Sequence, residues 1–179
     1  GYVYDIGGLS CFVFGGGHSV DKISRTPGES WWYRENASRE ETERGYDSLD
    51  AVGWRVDHVF SHVAPTRSLD HIRGHYALEH TKRDFLYGDP TSEYLDTIAE
   101  KLDFRMWAFG HYHVESRPFK AKSSGLFRCE YKSVKALETE PELRRVLEDE
   151  ERIRRLVDEE KNRLSGAAGA ESAFPVGGW

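Results

Sequence analysis

The chain has 179 residues, which is enough for one domain with a substantial core and too few for two ordinary domains. Hydrophobic residues make up 38% of it and aromatic residues 13%, so we expect a folded chain rather than a disordered one. The formal net charge of −6 argues against a nonspecific nucleic-acid surface or a membrane-binding surface, because both would need a basic face. A phosphorylated substrate is compatible with this charge, because bound metal ions can supply positive charge locally.

The two cysteines, Cys11 and Cys129, are far apart and form no CxxC motif. This usage is typical of a reducing compartment, in which both would be small buried apolar residues. No signal peptide is recognisable, and no apolar run reaches the roughly 18 residues that suggest a membrane-spanning helix. We therefore predict a cytoplasmic protein without membrane contact.

Short apolar runs predict the strands of the N-terminal half. Residues 2–4 and 9–14 are separated by a turn pattern and predict two short strands, and three glycines end the second. Residues 18–36 are predicted to be irregular, and the charged run at 39–44 to begin a short helix. Residues 56–60 predict a buried strand that leads directly towards a histidine.

Three further elements are predicted in the middle of the chain: a helix at 91–102 and strands at 104–109 and 124–131. The helix has two candidate N-cap residues, Thr91 and Ser92.

The last part of the chain carries the pattern of a long charged helix. Thr139 and Glu142 form a capping-box pattern, and apolar residues then recur at helical spacing opposite a face rich in Glu and Arg. We interpret 139–165 as a charged amphipathic helix that either packs through its apolar stripe or binds a partner. Residues 166–179 are interpreted as a flexible tail, which leaves 1–138 as the main domain.

Histidines follow two of the predicted strands. His111 and His113 come after a glycine at the end of an apolar run, and His62 lies two residues beyond the strand predicted at 56–60. Neutral imidazole is the commonest protein ligand of divalent transition metals, and a glycine lets the backbone pass close to a ligand. Each histidine alone is compatible with a structural role, but their placement fits a site built on strand-end loops.

Three blocks of sequence resemble motifs of the calcineurin-like metallophosphoesterases. GHYH at 110–113 resembles the GHxH signature of that family, and VDHVFSHVAP at 56–65 resembles its preceding motif, a strand followed by one histidine. FGGGHSVDKISRTPGESWW at 14–32 resembles the segment that precedes this histidine in bacterial members. The blocks follow the order of the family and cover roughly residues 1–135. The resemblance implies an α/β fold, with this chain forming part of a four-layer α/β/β/α sandwich followed by the C-terminal amphipathic helix.

The resemblance also implies roles for three histidines. His62 and His111 would be ligands of one metal ion, and His113 would be a ligand of a second. Two divalent ions of Mn, Fe or Zn would hold a bridging hydroxide that attacks phosphorus, so the implied activity is hydrolysis of phosphate esters. The implied substrate is a phosphorylated small molecule or a phosphoprotein, since the acidic balance of the chain disfavours nucleic acid.

The first-half motifs of the family, D-x-H, G-D and G-N-H-[DE], have no counterpart at the expected place. No Asp is followed two positions later by His, and neither Asn36 nor Asn162 precedes a histidine. The single G-D pair lies after the first strand-end histidine, and Asp89-Pro90 is typical of a turn. We therefore expect the chain to be the C-terminal part of such a domain, with the missing N-terminal half as a partner.

Two residues of the 14–32 block are candidates for substrate binding. Arg25 could pair with a phosphate, or it could form a structural salt bridge with Asp21. His18 follows three glycines close to a strand end and could line the site.

In the competing interpretation, the chain is a non-catalytic scaffold or partner-binding piece that retains a residual metal site.

Overall fold

The computed structural model is a mixed α/β fold in which six strands form one mixed sheet. It describes the chain except for residues 20–23, 76–87, 136, 138–139 and 171–179. The chain divides into two compact units, Gly1–Ala136 and Leu137–Trp179. The strands are β1 Tyr2–Ile6, β2 Leu9–Phe14, β3 His58–Ser61, β4 Met106–Phe109, β5 Phe119–Lys120 and β6 Leu126–Cys129. The described helices are α1 Arg39–Ala51, α2 Thr66–His75, α3 Pro90–Lys101 and α4 Glu140–Ala170.

The topology brings the ends of the central strands to one edge of the sheet. The strand order is β1-β2-β3-β4-β6-β5, in which β2, β3, β4 and β6 run parallel and the two outer strands pair antiparallel. Long connections join the parallel neighbours, as parallel pairing requires. Ser61 at the end of β3 is the register partner of Phe109 at the end of β4. Residues that follow β3 and β4 therefore emerge side by side.

One face of the sheet packs against the helices through a row of apolar side chains. The row consists of Phe12, Val59, Trp107 and Phe127, which are register partners across four strands and have no solvent exposure. The helices contribute other buried residues to the same core, among them Leu49, Leu69 and Ile98. This burial fixes the strand register, because a strand that slipped by one residue would turn its buried side chain to the other face of the sheet.

The five predicted strands are all present, with ends within two residues of the prediction or coinciding with it. Strand β5 has only two residues and carries no recognisable sequence pattern. Helix α1 begins where the charged run predicts and continues to Ala51, because Ser38 caps its first turn and Leu49 is buried in the core.

The start of α3 differs from the prediction. The N-cap is Asp89, whose side chain accepts the backbone N–H of Thr91, and Pro90 is the first helical residue. The predicted caps, Thr91 and Ser92, were therefore wrong, and so was the turn at Asp89-Pro90. The physical reason is that Asp is among the strongest N-cap residues and that proline at the first helical position has a φ already suited to a helix.

Helix α4 extends to Ala170, beyond the predicted end at residue 165. The segment 166–170 is therefore helical, which its three alanines favour and its two glycines oppose. The predicted cap Thr139 and the rest of the predicted tail lie outside the described residues. Within the part of the chain that the structure describes, no helix combines the length and apolar character needed to cross a membrane.

Candidate metal centre

His62 and His111 come into direct contact at the carboxyl edge of the sheet. His62 is the first residue after β3, and His111 lies two residues after the end of β4. The Nδ1 atom of His111 is 3.0 Å from the Nε2 atom of His62, and the two rings meet edge to face with centroids 4.8 Å apart. Two imidazoles separated by 49 positions in the sequence thus share one small volume.

Backbone contacts hold the two loops together. The N–H of Gly110 donates to the carbonyl oxygen of His62 at 3.1 Å, so the loop after β4 is tied to the loop after β3. His111 has a φ of 70° and His113 a φ of 54°, a left-handed conformation that non-glycine residues adopt at a cost in energy. Such conformations persist only where the surrounding contacts impose them, so the loop after β4 is held in a specific shape.

A third loop packs tightly against His62. A Cβ atom added at Gly17 would lie 2.4 Å from Cγ1 of Val63 and 3.3 Å from Cδ2 of His62. The glycine therefore allows the loop after β2 to pass directly beside His62.

Burial keeps His111 neutral. It lowers the pKa of His111 from its ordinary value to about 4, and the nearby charges of His62, His113 and His18 act in the same direction, while Asp89 opposes them. His111 is therefore uncharged at neutral pH. Since a histidine binds a metal ion through the lone pair of a neutral ring, this environment suits a ligand.

The separation of the two nitrogens fits two ligands of one ion. With Zn–N bonds of about 2.0–2.1 Å, two nitrogens are about 2.9 Å apart at a right angle and about 3.4 Å apart in a tetrahedral site. The observed 3.0 Å lies between these values. Without an ion, one of the two nitrogens donates its N–H to the other, so metal binding would require the donor ring to change tautomer.

Asp89 belongs to the same region, although sequence analysis assigned it to a turn. Its carboxylate accepts the backbone N–H of His18 at 3.1 Å while also capping α3, and the side chain is only 8% exposed. The sequence Asp-Pro-Thr carries the signal that could have revealed it, because Asp before Pro is the pattern of an N-cap followed by the first helical residue.

Two further predicted site residues, His113 and Arg25, make their described contacts with residues other than the histidine pair. His113 is exposed and stacks on Tyr131, with ring centroids 5.1 Å apart and planes at 21°. Arg25 is exposed and its Nη1 donates to the carbonyl oxygen of Ser30 at 2.8 Å. Its predicted partner Asp21 lies outside the described residues.

The donor set is smaller than a two-metal centre needs. Among the residues whose placement is described, no three or more His, Cys, Asp or Glu side chains form a group that could hold a metal ion. His62 and His111 fit one ion as two of its ligands, whereas a pair of ions does not fit these donors alone. Any further ligands would have to come from other segments or from water.

Comparison of the chain with family models, with curated proteins and with solved structures found no match. The resemblance to the metallophosphoesterases therefore rests on the three sequence blocks alone.

Proposed function

We propose that this chain carries part of the site of a metal-dependent phosphoesterase of the calcineurin-like type. The observation that carries the proposal is the 3.0 Å approach of His111 Nδ1 to His62 Nε2. These are the two histidines that the family resemblance pairs on one ion, and they meet at the ends of adjacent parallel strands. A divalent ion bound there would supply Lewis-acid polarisation of a phosphate ester and activation of water.

In this proposal, His62 and His111 hold one ion of Mn, Fe or Zn. His113 contributes to a second ion only in the complete domain, together with donors that the described residues do not supply. Imidazole ligands suit each of these metals, and the loops after β3 and β4 hold the pair at a fixed separation.

The substrate in this proposal is a phosphorylated small molecule or a phosphoprotein. The net charge of −6 supports this choice over nucleic acid, because a nucleic-acid surface needs a basic face. His18 is the residue best placed to line the substrate side, because the contact between its backbone and Asp89 fixes it at the edge that carries the histidine pair. Arg25 is a second candidate on the same loop region, through its exposed guanidinium.

The finer fold proposal is that the six-stranded sheet forms one half of a four-layer α/β/β/α sandwich. Alternate residues of the edge strand β1 place Tyr2, Tyr4 and Ile6 on one face, and these side chains are 43–50% exposed. A second sheet packed on that face would bury them.

The alternative is a non-catalytic scaffold or partner-binding piece with a residual metal site. It is favoured by the small donor set, since the described residues provide only a pair of histidines in direct contact.

Metal retention tests the proposal. The chain would be loaded with Mn²⁺, dialysed exhaustively and analysed for metal by mass spectrometry, beside the His62→Ala and His111→Ala variants. His71→Ala is the matched control, because His71 lies on α2 and stacks on Phe119. We expect retained metal in the wild type and the control and its loss in both site variants; equal retention in all four proteins would overturn the proposal.

Hydrolysis of p-nitrophenyl phosphate by the loaded protein separates the two candidate functions. Hydrolysis that disappears with His62→Ala supports the phosphoesterase. Retained metal without hydrolysis supports the scaffold.

A further inference from the structure

Tyr112 lies between the two histidines of the GHYH segment and is the most buried of the three residues. It is 6% exposed and belongs to the hydrophobic core, while His113 is exposed. Its ring meets Phe109 edge to face at a centroid distance of 5.9 Å and His111 at 5.2 Å. The side chain therefore anchors the loop after β4 in the core.

The hydroxyl of Tyr112 reaches across to the loop that carries His62. It accepts the backbone N–H of Ala64 at 3.2 Å, in a buried position two residues after His62. Three contacts thus join the two loops: the contact between the imidazoles, the backbone bond from Gly110 to His62, and this bond between a phenol and a backbone amide. If the phenol contact is removed, the Gly110 bond remains, but the imidazole pair loses the restraint that is anchored in the core.

The same hydroxyl also connects to the start of α3. It lies near the side chain of Ser92, whose hydroxyl donates to a carboxylate oxygen of Asp89 at 3.5 Å. Asp89 accepts the N–H of His18, so a chain of buried polar groups joins the loops after β2, β3 and β4. Buried networks of this kind specify one geometry when their members are satisfied.

We propose that Tyr112 is a positioning residue that sets the separation of His62 and His111 through its hydroxyl group. Its ring is anchored in the core. This anchor holds the backbone of the two flanking residues, His111 and His113, in the left-handed conformation. Its hydroxyl supplies a side-chain restraint between the two loops, in addition to the backbone bond from Gly110 to His62. The side chain would act on metal binding through the histidine pair and not as a ligand.

The test uses Tyr112→Phe, which keeps the ring and removes only the hydroxyl group. Tyr94→Phe is the matched control, because the Tyr94 hydroxyl also makes one internal bond, to the carbonyl oxygen of Thr42 at 2.9 Å. Ring ¹⁵N resonances of the metal-free proteins report the tautomers of His62 and His111. We expect defined tautomers in the wild type and in Tyr94→Phe, and averaged or altered ones in Tyr112→Phe.

Metal affinity provides the second readout, and only this readout rests on the proposed function. Removing a side chain that orients a metal ligand typically weakens metal binding by about 10-fold to 100-fold. We therefore expect the dissociation constant for Zn²⁺ to rise by about that factor in Tyr112→Phe and to be unchanged in Tyr94→Phe.

The outcomes separate the two proposals. Wild-type resonances and wild-type Zn²⁺ affinity in Tyr112→Phe would overturn the positioning role. Altered resonances in a protein whose wild type binds no Zn²⁺ would uphold the positioning role and overturn the metal site. If Tyr112→Phe does not fold, Ser92→Ala keeps the phenol and removes its second partner; unchanged ring resonances in that variant would overturn the role.

Discussion

The carboxylate of Asp89 accepts the backbone N–H of His18 at 3.1 Å, which joins segments 71 positions apart in the sequence. The other carboxylate oxygen of Asp89 accepts the N–H of Thr91 at 2.8 Å and caps α3. One buried side chain thus fixes both the loop after β2 and the start of a helix. Asp89 therefore ties the loop after β2 to the start of α3.

Replacing Asp89 by Ala should lower the free energy of unfolding by about 2 kcal/mol, since it removes an N-cap and a second buried hydrogen bond. Asp89→Asn should lose less, because Asn is an equally good cap. Urea unfolding measures both. Ser38→Ala, which removes the exposed cap of α1, is the control and should cost about 1 kcal/mol. If Asp89→Ala costs no more than Ser38→Ala, the double role of Asp89 is wrong.

Gly17→Ala should destabilise the protein, because the new Cβ would lie 2.4 Å from Cγ1 of Val63. We expect a loss of about 1–3 kcal/mol in the free energy of unfolding, typical of overpacking in a tight site. Gly15→Ala is the matched control two positions earlier, where an added Cβ would meet no described atom within 4 Å. The ring resonances of His62 should shift in the first variant only. Equal stability of the two variants would contradict the close approach of this loop.

The stability of the metal-free protein should depend on pH through His111. Its pKa is lowered by burial to about 4 in the folded protein, while an unfolded histidine titrates near its ordinary value of about 6.5. Between these values the unfolded chain binds more protons, so the contribution of His111 is complete above pH 6.5 and is lost as the pH falls towards 4.

Urea unfolding at pH 7 and pH 4.5 measures this dependence, and His111→Gln removes the titrating group. The wild type should lose more stability than His111→Gln between these two pH values. An equal loss in both proteins would show that His111 is not held neutral by burial.

The contact of His62 with His111 could be predicted only in part. Two apolar runs, each followed by a histidine, predicted a site built on strand-end loops, whereas the parallel pairing of β3 with β4 is known only from the structure. What the sequence does not carry is the loop conformation. Strand β4 ends at Phe109, so the alternation of strand faces does not extend to His111 and His113, and left-handed backbone places them instead.

Asp89 was missed for a different reason. The helical pattern of apolar residues begins several positions after it, so periodicity points to Thr91 or Ser92 as the cap. Only the tertiary structure shows that the Asp89 carboxylate is buried and bound to His18. Strand β5 escapes prediction because two residues are too few to show a period of two, and its pairing with β6 depends on long-range contacts.

The most direct test is a titration of the ¹⁵N-labelled metal-free protein with Zn²⁺, followed through the histidine ring resonances. If His62 and His111 hold one ion, then Nε2 of His62 and Nδ1 of His111 should shift together and saturate at about one equivalent. His113, which stacks on Tyr131, should respond at higher Zn²⁺ concentration or not at all. If His62 and His111 shift independently, or if neither shifts at stoichiometric Zn²⁺, the proposed shared metal site is wrong.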